Sequence, residues 1–552
     1  MRMGFDVART RLAAALALGL AGTHASSATP LPYLQASQTA TASASTPMPT
    51  PHYALRMAQR AERKAERLPG DGRRRSTPHV PGGLLPVTSC ADDGSPGTLR
   101  AVIAGAGEGA VVDLSELACG TITLTQGLID LSVLGPHQIN DIQIIGPGAD
   151  ALTIDGNGDR VFAHGDFQIG RGMLQITDLT IANGNYTHGL ASCIDSSGVV
   201  QLLRAVVTGC EASGGGPLTF GGAISAAYLD MSYSTISNSR SSAAGDNVAI
   251  GAGAYVSGDA TLLDSTITGN VATAEAPGDG TYYLSAGGGV YVRGALTLRR
   301  SVVSHNALYV PSFNYGWGGG IFVRADTEIE ATTFDDNFAT LGGGLYKAVF
   351  SHYGDPGTTL TVGNSTFWYN FASMGAGIAS ARPATIASST LANNVASFGA
   401  GGAWIKAGSS LTLQSSIVAR NRTGDYLGLY CDLLASSGVT GSNNLVIVAG
   451  ETTALPADTI ALDPMLASLA DNGGAVPTVL FYRGSPALDA GANPKAFAYD
   501  ERGVDFFREV GSAPDIGALE LQGGESELLF RDAFEPVRGS VDFCPFTDAE
   551  DS

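Results

Sequence analysis

The chain reads as an all-β protein, a parallel β-solenoid whose coils each carry three short strands. Three observations lead there. One phrase recurs along the middle of the chain: a small polar residue, an apolar or β-branched pair, two variable positions, then often Asn. A glycine-rich phrase is interleaved with it. Between the glycines every segment is too short for a stable helix, and its apolar residues alternate as in a half-buried strand.

The first phrase reads "STITGN" (265–270), "SVVSHN" (301–306), "TTFDDN" (332–337), "STFWYN" (365–370), "STLANN" (389–394) and "SIVARN" (416–421), with weaker copies earlier. Its third position runs Ile181, Val207, Ile236, Ile267, Val303, Phe334, Phe367, Leu391, Val418. Such self-similarity at a fixed period marks a repeat architecture. These residues are expected to stack through the core, each coil rising ~4.8 Å, the spacing between paired strands. The second phrase includes "GAGAYV" (251–256), "GGGVYV" (287–292), "GGGIFV" (318–323) and "GGGLYK" (342–347). Its glycines let the chain bend where strand meets strand. A third, alternating phrase such as "ALTLRR" (295–300) supplies the remaining strand.

Asn270, Asn306, Asn337, Asn370, Asn394 and Asn421 hold one position in successive coils. They are expected to form a side-chain ladder, with Asn taking the left-handed turn. Cys210 holds the same position earlier. Asp335-Asp336 fill the two variable slots and read as a solvated turn. The glycine triplets are not a phosphate loop, which requires a strand–loop–helix setting and a Lys. Gly is abundant, at 73 residues, but without a Gly-x-y period the chain is not collagen.

The ends read differently. Residues 1–28 have the layout of a signal peptide: Arg2, Arg9 and Arg11, then an apolar run from Leu12 to Gly22. That run is too short to span a bilayer. Residues 29–86 are a linker, first rich in Ala, Ser, Thr and Pro, then basic. Residues 522–552 form an acidic tail. The net charge of −20 disfavours nucleic acid and anionic membranes. The expectation is an exported monomer, extracellular or on a bacterial surface, with no transmembrane segment in the mature chain. Six cysteines fit an oxidising compartment. Local neighbours pair Cys90 with Cys119 and Cys193 with Cys210, leaving Cys431 and Cys544. No cysteine or histidine spacing suits zinc.

The segments "VTSCADDGSPGTLRAVIAGAGEGAVVDLSELACGTITLTQG" (87–127) and "IIGPGADALTIDGNGDRVF" (144–162) resemble right-handed parallel β-helix proteins of bacterial surfaces. The run "LDPMLASLADNGGAVPTVLFYRGSPALDAGANP" with "DERGVDFFREVGSAPDIGALE" (462–520) is similar to a choice-of-anchor Q domain. The resemblance implies an N-terminal cap with first coils over 87–150, its short helix around Leu99, Val102 and Ile103 plugging the solenoid. It implies β-helix repeats over 151–450 and an irregular C-terminal cap over 451–521. It implies a secreted or surface address and no particular activity. Asp463, Asp471, Asp489, Asp500, Asp505, Asp515 and Glu520 sit among Gly, Pro and Asn as turn formers. Ca²⁺ would need six to eight of their oxygens to converge.

For function, Arg293, Arg324 and Lys347 follow glycine triplets in three successive coils and suggest a basic stripe. No carboxylate trio repeats across coils, so no catalytic or metal residue is assigned. Two connectors are long, "VATAEAPGDGTYYLSA" (271–286) and "ALYVPSFNYGW" (307–317). They leave the same corner of adjacent coils and should meet. They carry Tyr282, Tyr283, Tyr309, Phe313, Tyr315 and Trp317. Long loops on a rigid scaffold are where binding tends to reside. The expected function is non-catalytic, adhesin-like binding of a glycan or a surface protein. The alternative is a lyase or glycoside hydrolase acting on an acidic polysaccharide.

Overall fold

The computed structural model describes residues 83–131, 141–165, 172–214, 218–243, 248–274, 284–310, 315–348, 357–424 and 429–523. The expected signal peptide, nearly all of the expected linker, the expected acidic tail beyond Gly523, and Cys544 lie outside them. Among the described residues no helix is long and apolar enough to cross a membrane.

The fold is a parallel β-solenoid. Three long sheets run from Leu84–Pro86 to Val439–Thr440, from Thr121–Thr123 to Leu445–Val446, and from Ile129–Asp130 to Leu433–Ala435. In each, neighbouring strands come from successive coils and pair in parallel. The register follows the repeat residue for residue: Ile267 on Val303, Val303 on Phe334, Phe334 on Phe367. These side chains are buried, and the Phe334 and Phe367 rings stack at 4.4 Å. A short helix, Leu99–Ala104, is capped by the Thr98 hydroxyl and buries Leu99 and Ile103 against the same core. Disulfides join Cys90 to Cys119 and Cys193 to Cys210. Cys431, fully buried, is also disulfide-bonded.

Two corners of the coil share one chemistry. At each, a single left-handed residue is followed by a buried polar one. At the first corner Asp264, Arg300, Ala331 and Asn364 have φ near +50°. The hydroxyls of Ser265, Ser301, Thr332 and Ser365 follow, each donating to the carbonyl two residues back. At the second corner the left-handed residues are His305, Asp336, Tyr369 and Arg420, with φ of +56°, +51°, +52° and +60°. This corrects the sequence reading: the residue before the ladder Asn takes the turn. The Asn itself points inward.

The ladder is continuous. Asn337 Nδ2 donates to Asn370 Oδ1 at 2.9 Å and to the Val303 carbonyl at 2.9 Å. Its Oδ1 accepts from both Nδ2 and the backbone N–H of Asn306. The same bonds recur from Asn270 to Asn421, and all six side chains are buried. The third glycine of each triplet makes the room. A Cβ on Gly320 would lie 2.6 Å from the Gly344 carbonyl and 3.2 Å from Asn337 Cγ.

The ladder ends on a carboxylate. Asp432 Oδ1 accepts from Asn421 N and Nδ2, and its Oδ2 accepts from Val448 N. Full burial outweighs these bonds and pushes its pKa up to about 7. The folded state therefore holds this proton over a pH range where the unfolded chain has released it. The contribution to stability is full at low pH, falls as pH rises above the ordinary carboxyl value, and is gone above about 7. Urea midpoints measured from pH 5 to pH 8 should show a shallower decline in Asp432→Asn than in the wild type.

The long connectors form a layered arm. Val271–Ala274 pairs with Ala307–Tyr309, and Leu284–Ala286 with Tyr315–Trp317, so the two insertions do meet. The arm is larger than the sequence suggested. Glu211–Gly214, Leu218–Phe220, Arg240–Ala243 and Val248–Ile250 belong to it. It is held by small residues such as Ala243, Ala249 and Ala272 around Leu308.

The segment 462–521 lies along the flank of the second sheet. Phe481, Ile516 and Leu519 pack on Ala392, Ile417 and Ala419. Ala518 N donates to Thr390 Oγ1, and Thr333 Oγ1 donates to the Pro477 carbonyl at 2.6 Å. Several of its acids do serve turns, as Asp471 does for Gly473 N and Asp489 for Ser512 N. Asp463 instead pairs with Arg420, and Asp500 with Arg502.

Candidate functional site: an aromatic corner

Because each ladder Asn points into the solenoid, its two chain neighbours point away from it. In three successive coils those neighbours are His305 and Ala307, Asp336 and Phe338, Tyr369 and Phe371. Bridges set Ala307, Phe338 and Phe371 in one line. The Tyr309 ring stacks on Phe338 at 5.3 Å, and Tyr369 meets Phe371 edge-on at 4.7 Å. One coil on, Val395 pairs with Phe371 and ends the line; Phe398 lies three residues further along, its N–H bonded to the Ser373 carbonyl. Tyr309, Tyr369 and Phe398 are 38%, 46% and 58% exposed. The backbone beneath them is fixed by the ladder, so the platform needs little ordering on binding.

Charged groups flank the rings. His305 Nε2 lies 3.6 Å from Asp336 Oδ2. Asp335 faces outward, in register with Ser304 and Trp368. Burial pushes its carboxyl up to about 6; the His305 charge pulls it down, and Asp336 pushes it up. Asp336 therefore makes the turn that the sequence suggested, while Asp335 is not a solvated turn residue. Burial also raises the Tyr309 phenol, Asp336 adds to this, and Arg240 opposes it. A carboxyl raised to about 6 beside a second carboxyl can accept hydrogen bonds or exchange a proton.

Of the residues named from sequence, Tyr309 stands in this corner. Trp317 lies elsewhere, stacked at 4.8 Å on Tyr346. Tyr346 ends a column of rings on the outer face of the third sheet, Tyr255, Tyr291, Phe322, Tyr346. Those rings stack on one another and all but Tyr255 are buried, so their faces are occupied. The side chain of Tyr315 and the whole of Tyr282, Tyr283 and Phe313 lie outside the described residues. Arg293 and Arg324 follow the paired Val292 and Val323, one above the other beside that column, exposed and half-exposed.

Lys347 does not extend the basic stripe. It pairs with Val323, not Arg324, so its side chain takes an inward position. It is fully buried, its Nζ donating to the Arg324 and Ala325 carbonyls and to Thr358 Oγ1. The glycine phrase hid this, because "GGGIFVR" and "GGGLYK" reach their basic residues after different numbers of positions. Phe338, Tyr369 and Phe371 escaped the sequence reading, which looked for aromatics in long loops. The signal was present as aromatic residues directly beside an inward Asn. Among the described residues, no group of three or more His, Cys, Asp or Glu side chains converges as a metal site.

No family model and no curated protein matches this chain. Among solved structures, the chain is similar to "Crystal structure of pectate lyase Pel9A" at 12% identity and a TM-score of 0.38, covering 80% of this chain and 97% of that one.

Proposed function

We propose that this chain is an exported scaffold that binds a glycan along the corner formed by Tyr309, Phe338, Phe371 and Tyr369, without cleaving it. One observation carries the reading: a line of exposed and half-exposed rings, spread over three successive coils, on a backbone fixed by the Asn ladder. Ring faces and edges suit the apolar C–H faces of sugars, and polar tips suit their hydroxyls. The disulfides and the signal-peptide layout support export. The similarity of 462–520 to a choice-of-anchor domain supports a surface address.

Tyr309→Ala and Tyr369→Ala should each weaken retention on immobilised glycan about tenfold, or ~1.4 kcal/mol, with unfolding midpoints little changed. Trp317→Ala, which strips a ring from Tyr346, should lower stability more than affinity. Wild-type affinity in both tyrosine variants, on every glycan retained by the parent, would remove the corner from the reading.

A second reading, glycoside hydrolysis, is favoured by the Asp335–Asp336 pair. Burial raises Asp335 beside a second carboxyl, and such chemistry uses a pair of carboxyls of which one is raised. Reducing ends released by the wild type and lost in Asp335→Asn would establish it.

A further inference from the structure

We propose that the ligand of this corner is a linear, uncharged glycan several sugars long, lying along the solenoid axis. The inference rests on the binding reading above and narrows its substrate class.

The axial direction follows from the lines of rings. Tyr309, Phe338 and Phe371 belong to successive coils, and paired strands lie ~4.8 Å apart. Two steps therefore make a platform roughly 10 Å long. A single sugar would cover one end of it. A short oligosaccharide would contact every ring, and a chain running across the axis would leave the corner after one.

The charge class follows from what borders the rings. Asp336, two residues before Phe338, lies at the middle of the platform, with His305 3.6 Å away; Asp335 adds a second carboxyl beside it, on the outer face of the second sheet. Arg240 reaches the neighbourhood of Tyr309 at one end, where it opposes Asp336. In its own sheet Arg240 pairs in register with Glu211, which brings a second carboxylate to that end. A polyuronate would lay a carboxylate over Asp335 and Asp336 with one guanidinium at the far end to offset it. Like charges facing each other across an interface are penalised. The net charge of −20 acts in the same sense at longer range. Sugar hydroxyls, by contrast, donate to carboxylates, and such charge-assisted bonds are the stronger kind. A carboxylate among the rings with a second beside it thus selects hydroxyl-rich, uncharged chains and disfavours the acidic polysaccharides named in the alternative sequence reading.

The test is calorimetric titration of the secreted protein at pH 7.5 and fixed ionic strength. The probes are glucose, cellobiose, cellotetraose and mannotetraose as neutral ligands, and tetragalacturonate as the anionic one. The expected result is affinity that rises with chain length for at least one neutral series and is at least about tenfold weaker for tetragalacturonate. Asp335→Asn with Asp336→Asn should narrow that gap several-fold, chiefly by strengthening tetragalacturonate binding. Asn tolerates the left-handed turn at 336, so the double variant should keep its fold. Tetragalacturonate binding as well as or better than the neutral tetramers, or a gap unmoved by the double variant, would overturn the inference while leaving a glycan-binding corner intact. Binding unaffected by Tyr309→Ala and Tyr369→Ala would overturn the corner itself.

Discussion

Replacing Arg502 with Ala is expected to cost about 3–5 kcal/mol, as removal of one member of a buried ion pair does. Arg502 is fully buried in the C-terminal segment. Its Nη2 donates to Asp500 Oδ2 at 2.7 Å and to the Glu520 carbonyl at 2.6 Å, and its guanidinium lies 4.0 Å over the Phe506 ring. Ala in its place would leave Asp500 as an uncompensated buried carboxylate. Replacing both by apolar residues of like volume, Asp500→Leu with Arg502→Met, should recover much of the loss, because the desolvation cost leaves with the charges. Hydrogen exchange should localise the damage to 462–521, with the solenoid core protected. A single variant with unchanged unfolding would show that the segment contributes nothing to the measured transition.

The same segment should loosen as pH rises. Burial pushes Glu520 up to about 8 and raises Glu501 well above the carboxyl range. Glu501 is hydrogen-bonded to the hydroxyls of Thr333 and Thr366 on the solenoid itself. A raised carboxyl stabilises the folded state below the ordinary value and loses that contribution as pH climbs to the folded one. Exchange protection in 462–521 should therefore fall between pH 5 and pH 8 before that of the sheets.

Asn337→Ala is the second large effect, expected to cost on the order of 3 kcal/mol or more. The substitution orphans the N–H and one Nδ2–H of Asn306, each unmet buried group being worth about 1–3 kcal/mol, and removes one donor from the Asn370 Oδ1 and one from the Val303 carbonyl. Asp336→Asn, one residue away, keeps the left-handed turn and touches no ladder bond, and should stay within about 0.5 kcal/mol. Chemical denaturation of the two variants beside the wild type separates them. Equal losses would mean that the inward position belongs to a different residue of the phrase.

Much of this protein was legible in advance because the solenoid is nearly one-dimensional. Each coil meets its neighbours, so a residue's partner lies one period away, and the phrase that repeats is the contact list. The stack from Ile181 to Val418 and the Asn ladder were readable on that ground; the pairing of Cys90 with Cys119 and of Cys193 with Cys210 was readable from closeness along the chain. What failed was phase within the coil. A one-residue shift turns a side chain to the other face, so Lys347 read as a surface cation and is a buried donor. The left-handed turn was likewise placed one residue too late, on Asn337 instead of Asp336.

The sequence by itself determined the period, the strands and the inward column, because these depend on local alternation and on identical neighbours one coil away. The tertiary structure alone decided which aromatics face out together and where the C-terminal segment lies. Tyr309, Phe338, Tyr369 and Phe371 become one surface because a left-handed residue before each Asn turns the chain at the same point in every coil. Residues 462–521 settle on the flank because Glu501 finds Thr333 and Thr366, residues 168 and 135 positions away. No period in the chain encodes a contact that occurs once.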